Sequence, residues 1–586
     1  MIPRPHLGRI VPPAQTLIPR LCPAVDRARF VFGKLSARVG KRASWGVNLD
    51  MTSPLLPRPA LALRRLCVVV CLQFASAILW AAVPVVVPSH EKGDRSTAPS
   101  PNIVYILCDD LGYGDVHCLN PQRGKIATPC MDRMAGQGLT FTEAHSSSAV
   151  CTPSRYSILT GRYNWRSPLQ SGVLNGFSPP LIAPGRLTVA KLLKQHGYAT
   201  ACIGKWHLGM GVSRAHLDAP IDKGPTARGF DHFFGISASA DMPPYAFIEN
   251  DRFTEAPTTV KELYQGRRGP AAPNFAVVDV LPTLVRKCKA WIDLHQAQPF
   301  FLYLPLNSPH TPLAPTREWK GKSGLGNYGD FVMETDWALG EILQAVDTAG
   351  LTNNTLVIFT SDNGCAPYVG TLSTDDPALT YQGAGAVASL EALGHFPSEW
   401  RRGYKSDVWD GGHRIPFIAR WPGKITPGTT SDQLICLSDL MATCADILAT
   451  KLPDNAGEDS VSILPVLLGS KLEKPLREAV VHHSAAGSFA IRQGQWKLDL
   501  CPGSGGWGVP NDFEAKSAGL PAVQLYDMVV DGGETRNVQA EHPEIVARLR
   551  SLLEKIIAEG RSTPGPKIPN DVSVTIDKPN TKSRAR

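Results

Sequence analysis

The sequence predicts an α/β fold: a large, mostly parallel β-sheet sandwiched by helices, followed by a smaller C-terminal α+β domain with a short antiparallel sheet. Three observations carry this. From residue 102 onward, short β-branched apolar runs alternate with segments of helical apolar spacing. Clusters of polar residues fall just past the carboxyl ends of several strand-like runs, where open α/β sheets place their ligands. After Pro453 the pattern changes to short runs of period two that end in a single helical segment.

Taken in order, residues 1–100 read as an address and a linker. Residues 1–50 are rich in Arg and Pro, and Met51 opens a new pattern in which Arg58, Arg64 and Arg65 precede the apolar run 66–87. Basic residues before such a run form the n- and h-regions of an export signal, placed at about 58–88, with translation expected to start at Met51. The run is also long enough to stay as a membrane anchor, so membrane association through this segment is the alternative. A polar Ser/Pro linker follows.

Strands are expected at 102–108, 198–204, 299–306, 355–361 and 415–421, and helices at 129–137, 152–161, 188–197, 278–297, 328–349 and 436–449. A long segment rich in Gly, Ala and Thr, 370–400, interrupts this domain as a lid or pocket wall. The main domain is therefore placed at 101–453. A C-terminal α+β subdomain at 454–560 has strands within 489–500 and at 523–527 and a helix at 543–559, and a basic flexible tail occupies 561–586.

Composition narrows the function. The chain has 586 residues, 43% hydrophobic and 19% charged, which excludes general disorder. Of the net charge of +8, +10 sits in residues 1–95 and +4 in residues 561–586, which leaves −6 on the body. A mildly acidic body without a helix-turn-helix, a finger or a basic aromatic stripe argues against nucleic acid as a partner. If the signal is cleaved, the mature protein is expected to be near neutral or slightly acidic. The 13 cysteines are scattered without C-x-x-C pairs, so neither a zinc site nor a dense disulfide framework is implied.

One cysteine stands apart. Cys151-Thr-Pro-Ser-Arg155, continued by Tyr-Ser-Ile-Leu-Thr-Gly-Arg162, lies where a loop enters a helix. A cysteine there, with an arginine one turn on, would have a lowered pKa and a reactive sulfur. Asp109 and Asp110 follow a strand directly, and two such carboxylates repel without a cation between them. Asp362-Asn363-Gly follows another strand and adds a carboxylate and an amide carbonyl, so the oxygen set suits Ca²⁺ or, second, Mg²⁺. Lys205 and His207 in Gly-Lys-Trp-His bring a cation and an imidazole to the same sheet edge, with His310 after a later strand. His413, His482 and His483 read as satisfied loop histidines.

The C-T-P-S-R and L-T-G-R run, with the other motifs in the same order, resembles the type I sulfatase family over roughly 101–538. The resemblance implies an alkaline phosphatase-like fold and hydrolysis of sulfate monoesters. It implies that Cys151 is converted to formylglycine by a formylglycine-generating or anaerobic maturation enzyme. It further implies that Asp109, Asp110, Asp362, Asn363 and the modified Cys151 hold calcium. Lys205 would bind sulfate, Arg155 would position the hydrated aldehyde, and Asp362 would take a proton from its attacking oxygen. His207 would hold its hydroxyl and break down the intermediate, His310 would protonate the leaving alcohol, and Lys405 would be the last active-site lysine. The substrate is a sulfate-ester small molecule or a sulfated glycan, and export with the long polar insertion points to carbohydrate. Some phosphonate and phosphate ester hydrolases of the same superfamily carry C-x-P-x-R and form the competing reading.

Overall fold

In the computed structural model, which describes residues 100–370 and 386–578, the core is a ten-stranded sheet. Its centre is four parallel neighbours in the order Thr355–Ser361, Asn102–Cys108, Phe300–Pro305 and Ala199–Lys205. His232–Ile236 continues the parallel run beyond Ala199–Lys205. Phe417–Arg420, expected from sequence as one more strand, pairs antiparallel to Thr355–Ser361.

Alternation along these strands explains why the sheet is covered twice. Val104, Ile106, Val357, Phe359, Leu302 and Leu304 join one apolar cluster, and their neighbours Ile103, Tyr105, Leu107, Leu356, Ile358, Phe301 and Tyr303 join another. With side chains of period two and both faces apolar, each face needs its own helical layer. Pro129–Gln137, Val280–Leu294 and Gly326–Thr348 cover the first. Cys151–Thr160, Val189–Gln195 and Leu440–Ile447 cover the second.

The C-terminal antiparallel sheet has the order Val480–His483, Phe489–Gln493, Trp496–Asp499, Gln524–Asp527, with Pro543–Glu559 packed on it. Tyr163 and Trp165, from the turn after the Cys151 helix, insert into this core beside Leu549 and Leu553. The two sheets therefore share packing, and the described residues belong to one compact unit.

One expectation changes. The tail, expected to be flexible from 561, is docked over its described part: Asp571 pairs with Arg162 at 3.0 Å, and Asn570 accepts from Arg166 at 2.9 Å. Buried arginines near the Cys151 helix supply the anchor that composition does not reveal. Within the 370–400 segment, residues 371–385 lie outside the described residues, as does the 58–88 signal. His395, further along, closes back on the loop after Asp110 and binds Asp115 at 2.8 Å.

Glu334, on Gly326–Thr348, accepts the Thr316 amide at 2.9 Å, and burial pushes its carboxyl up to about 7. Its folded pKa exceeds the unfolded value of about 4.5, so its stabilising contribution is complete below that pH and is lost as pH rises through 7. The loss amounts to about 3 kcal/mol. Glu334→Gln should remove this slope, melting above wild type at pH 8 and no higher at pH 4.5. Melting curves that stay parallel between those pH values would refute the assignment.

Candidate active site

Because the four central strands run parallel, their carboxyl ends emerge on one edge. Asn102–Cys108 delivers Asp109 and Asp110, Ala199–Lys205 delivers Lys205 and then His207, Phe300–Pro305 leads to His310, and Thr355–Ser361 leads to Asp362 and Asn363. Cross-strand bonds hold the loops in register: the Asp362 amide donates to Cys108 O at 3.1 Å and the Asp109 amide to Ser308 O at 3.0 Å. Asp110 and His207 adopt left-handed backbone, with φ of 66° and 56°. Such conformations are uncommon for residues with a Cβ and cluster at functional sites.

Cys151 opens the helix Cys151–Thr160, every residue of which is buried. Its Sγ lies 3.9 Å from Asp110 Oδ1. The expectation of a lowered thiol pKa is wrong. Burial raises it well above the usual thiol range, and Lys205 and Lys405 only partly oppose that. Arg155 is committed elsewhere. Its Nε and Nη2 meet Asp362 Oδ2 at 2.9 and 2.8 Å, and its Nη1 donates to Lys205 O at 2.9 Å. Desolvation of the sulfur outweighs the helix terminus, so a plain thiolate nucleophile has no support in this geometry.

Three carboxylates and three cations interlock beside Cys151. Lys205 Nζ sits 2.6 Å from Asp109 Oδ2, Lys405 Nζ 2.7 Å from Asp110 Oδ2, and Arg155 Nη2 3.5 Å from Asp109 Oδ1. Burial alone would raise Asp109, but Lys205, with His310, Arg155 and Lys405, holds it well below the carboxylate range. Asp362 moves the other way: burial and the charge of Asp109 outweigh Arg155. Asn363 Nδ2 donates to Asp110 Oδ1 at 2.8 Å, and the Asp110 amide faces Asp362 Oδ1 at 3.3 Å.

A cation fits here. Asp109 Oδ1 and Asn363 Oδ1 are buried without a hydrogen-bond partner. Asp109, Asp110, Cys151 and His310 bring one ligand atom each within 4.8 Å of one another. Unpartnered buried oxygens in a carboxylate-rich pocket suit a hard divalent ion. His310, read from sequence only as a proton donor, stands at the edge of this cluster with Nε2 3.6 Å from Asp110 Oδ2.

Hydrogen bonding sets the histidine tautomers. His207 Nε2 faces Leu174 O at 2.8 Å and must donate to it, which leaves Nδ1 as a buried acceptor without a partner. Burial, then Lys205 and Arg155, push its pKa well down, so it is a neutral imidazole with a free lone pair. His310 Nδ1 donates to Thr311 O at 2.5 Å, which directs Nε2 toward Asp110.

Several residues around the site had no signal in the sequence. Tyr368 Oη lies 3.3 Å from Lys405 Nζ. Asp115 collects Tyr328 Oη at 2.5 Å, the Gly112 amide at 2.7 Å and His395, and so fixes the loop after Asp110. His413 and His482 lie outside the pocket. They stack at 3.7 Å beneath it, with His145 Nδ1 3.1 Å from His413 Nδ1. Lys497 Nζ donates to Asp410 (2.9 Å) and Glu534 (2.6 Å). His413 Nε2 donates to Val408 O at 3.0 Å, and parallel stacked rings cannot both aim in-plane lone pairs at one ion. The trio is a neutral packing unit, and burial lowers all three pKa values. Glu534 follows the C-terminal strand Gln524–Asp527, and its bonds to Asp410 and Lys497 tie that region to the segment after Lys405.

A two-sided parallel sheet with buried carboxylates, lysines and imidazoles at its carboxyl edge defines an alkaline phosphatase-like ester hydrolase. The chain belongs to the sulfatase family, whose model matches residues 101–450, and is a sulfatase-type hydrolase. It is 35% identical over 508 residues to an N-acetylgalactosamine-6-O-sulfatase of Bacteroides thetaiotaomicron, covering 80% of this chain and 95% of that protein. It is 33% identical to human arylsulfatase A over 481 residues, 78% of this chain and 88% of that one. A solved structure from work on glycosaminoglycan metabolism by Bacteroides thetaiotaomicron superposes with a TM-score of 0.69 at 34% identity, covering 78% of this chain and 99% of that chain. A phosphonate monoester hydrolase of Agrobacterium radiobacter, at 18% identity and a TM-score of 0.51, shares the fold alone.

Proposed function

We propose that the protein hydrolyses sulfate monoesters of sugars, with Cys151 converted to formylglycine and a calcium ion held by Asp109, Asp110, Asp362, Asn363 and the modified residue. The observation that carries this is the interlocked set around Cys151, in which Lys205, Lys405 and Arg155 meet Asp109, Asp110 and Asp362. The charges balance as they stand, so a divalent cation makes the pocket net positive and selects an anion. When present, calcium polarises the sulfonyl oxygens and the hydrated aldehyde supplies the attacking oxygen.

The side chains do the rest. Lys205 and Lys405 turn from the carboxylates to the sulfonyl oxygens and stabilise the charge that develops there. Arg155, clamped on Asp362, orients residue 151 from one turn along its own helix, and Asp362 Oδ1 accepts the proton of the attacking group. His310 Nε2 protonates the departing alcohol. His207, with Nδ1 unprotonated, removes the second proton that lets sulfate leave.

The Bacteroides relative supports a primary sugar sulfate, with N-acetylgalactosamine 6-sulfate as the first substrate to test. Export through the 58–88 segment, with maturation of Cys151 by a dedicated enzyme, completes this reading. Among the described residues no helix is long and apolar enough to cross a membrane. The test compares sulfate and phosphonate esters of one phenol and follows release of sulfate from the sugar. The sulfate ester should be turned over faster, and chelation should lower the rate at least about 100-fold, with calcium restoring it better than magnesium. A preference for the phosphonate, or full activity after chelation, would overturn the proposal.

A further inference from the structure

Beside Lys405 the C-terminal region carries a half-exposed indole. Trp507 is 44% exposed, yet its backbone is pinned. Its amide meets Ser406 Oγ at 2.8 Å and Asp407 Oδ1 at 3.1 Å, and the Gly508 amide meets the same oxygen at 2.8 Å. The preceding Gly506 lies so close that an added Cβ would stand 2.3 Å from Ser406 O. Ser406 and Asp407 directly follow Lys405, so the strap that positions the lysine also positions the indole.

The ring stands beside a second aromatic. Tyr368 and Trp507 have ring centroids 6.0 Å apart at 43°, and Lys405 Nζ lies 5.8 Å from the Tyr368 centroid. The indole is therefore within reach of a sugar unit whose sulfate sits between the lysines.

We infer that Trp507, with Tyr368 beside it, forms a platform for the apolar C–H face of the sugar ring that bears the sulfate. This rests on the sulfate-ester reading above and adds the residues that choose the alcohol. A pyranose offers C–H groups on its faces, which match an exposed aromatic ring held beside Lys405. The indole is anchored before the ligand arrives, so little ordering cost opposes binding. Trp507 is a specificity-determining residue and takes no part in bond breaking.

The test is calorimetric binding to the full chain in a Cys151→Ala background, which prevents turnover, with and without Trp507→Ala or Trp507→Phe. The probes are N-acetylgalactosamine 6-sulfate and inorganic sulfate. Trp507→Ala should weaken the sugar sulfate about tenfold or more and leave inorganic sulfate within about twofold, and Trp507→Phe should recover much of the loss. Equal weakening of both probes would make Trp507 a structural support and overturn the inference, as would unchanged or unmeasurable sugar binding. Failure of the wild-type enzyme to release sulfate from the sugar would sink the functional reading alone, since the binding comparison still decides the platform.

Discussion

Cys151→Ala should lower sulfate-ester turnover by at least about 10⁴-fold, the scale seen when a nucleophile that works as part of a unit is removed. The physical case starts from the thiol. It is buried and its pKa is raised, so the unmodified side chain is a poor nucleophile at neutral pH. The residues around it are nonetheless arranged for an anionic reaction: two lysines, an arginine, and His207 with a lone pair and no partner. A conversion of the side chain from thiol to aldehyde reconciles these facts. Mass analysis of the peptide containing Cys151, from protein made in its native host, should show sulfur lost and an aldehyde in its place. Active protein with an intact cysteine would refute the chemistry, and retention of turnover by Cys151→Ala would refute the assignment of the residue itself.

Lys497→Met should destabilise the fold by about 3–5 kcal/mol, because removing one partner of a buried ionic cluster strands the others. Lys497 is fully buried between Asp410 and Glu534, and Glu534 Oε2 also accepts the Asp410 amide at 2.6 Å. Even with the lysine present, burial pushes Glu534 up to about 8 and Asp499 up to about 7. Without it, these acids are raised further in the folded state. Their folded pKa values exceed the unfolded ones, so the variant's added penalty grows as pH rises. The drop in melting temperature should be larger at pH 8 than at pH 5.5, and Lys497→Met with Glu534→Gln should recover part of it. A pH-independent drop would show that packing of the lysine stem, and not its charge, is what matters.

The two aspects of the molecule differ in how openly the chain displays them. Strands 102–108 and 355–361 and helices 129–137 and 543–559 were legible to the residue, because uninterrupted β-branched runs and three- and four-residue spacings are local properties. The candidate residues after the strands were legible for a related reason: parallel strands bring their carboxyl ends to one edge whatever the intervening loops do. The aromatic pair beside Lys405 and the buried Lys497 cluster were not. Trp507 lies in a Gly-rich loop about a hundred residues beyond Lys405, and nothing local marks it as a neighbour of Tyr368. Lys497 is an alternate residue of a period-two strand, which reads as a solvent-facing position. It is buried because Asp410 and Glu534 arrive from two other segments to neutralise it.

The error about Cys151 shows the boundary. Helix position and a nearby arginine are local and argue for a low thiol pKa, whereas burial and the pairing of Arg155 with Asp362 depend on segments some two hundred residues away. By itself the sequence determined the mostly parallel α/β class, the sheet edge where polar residues gather and the residue types gathered there, since these follow from periodicity and strand direction. Only the tertiary structure decided which charges meet, which histidine nitrogen is free and which aromatic rings stand beside Lys405. Desolvation and ion pairing act through space, and their strength is set by neighbours that the order of residues does not announce.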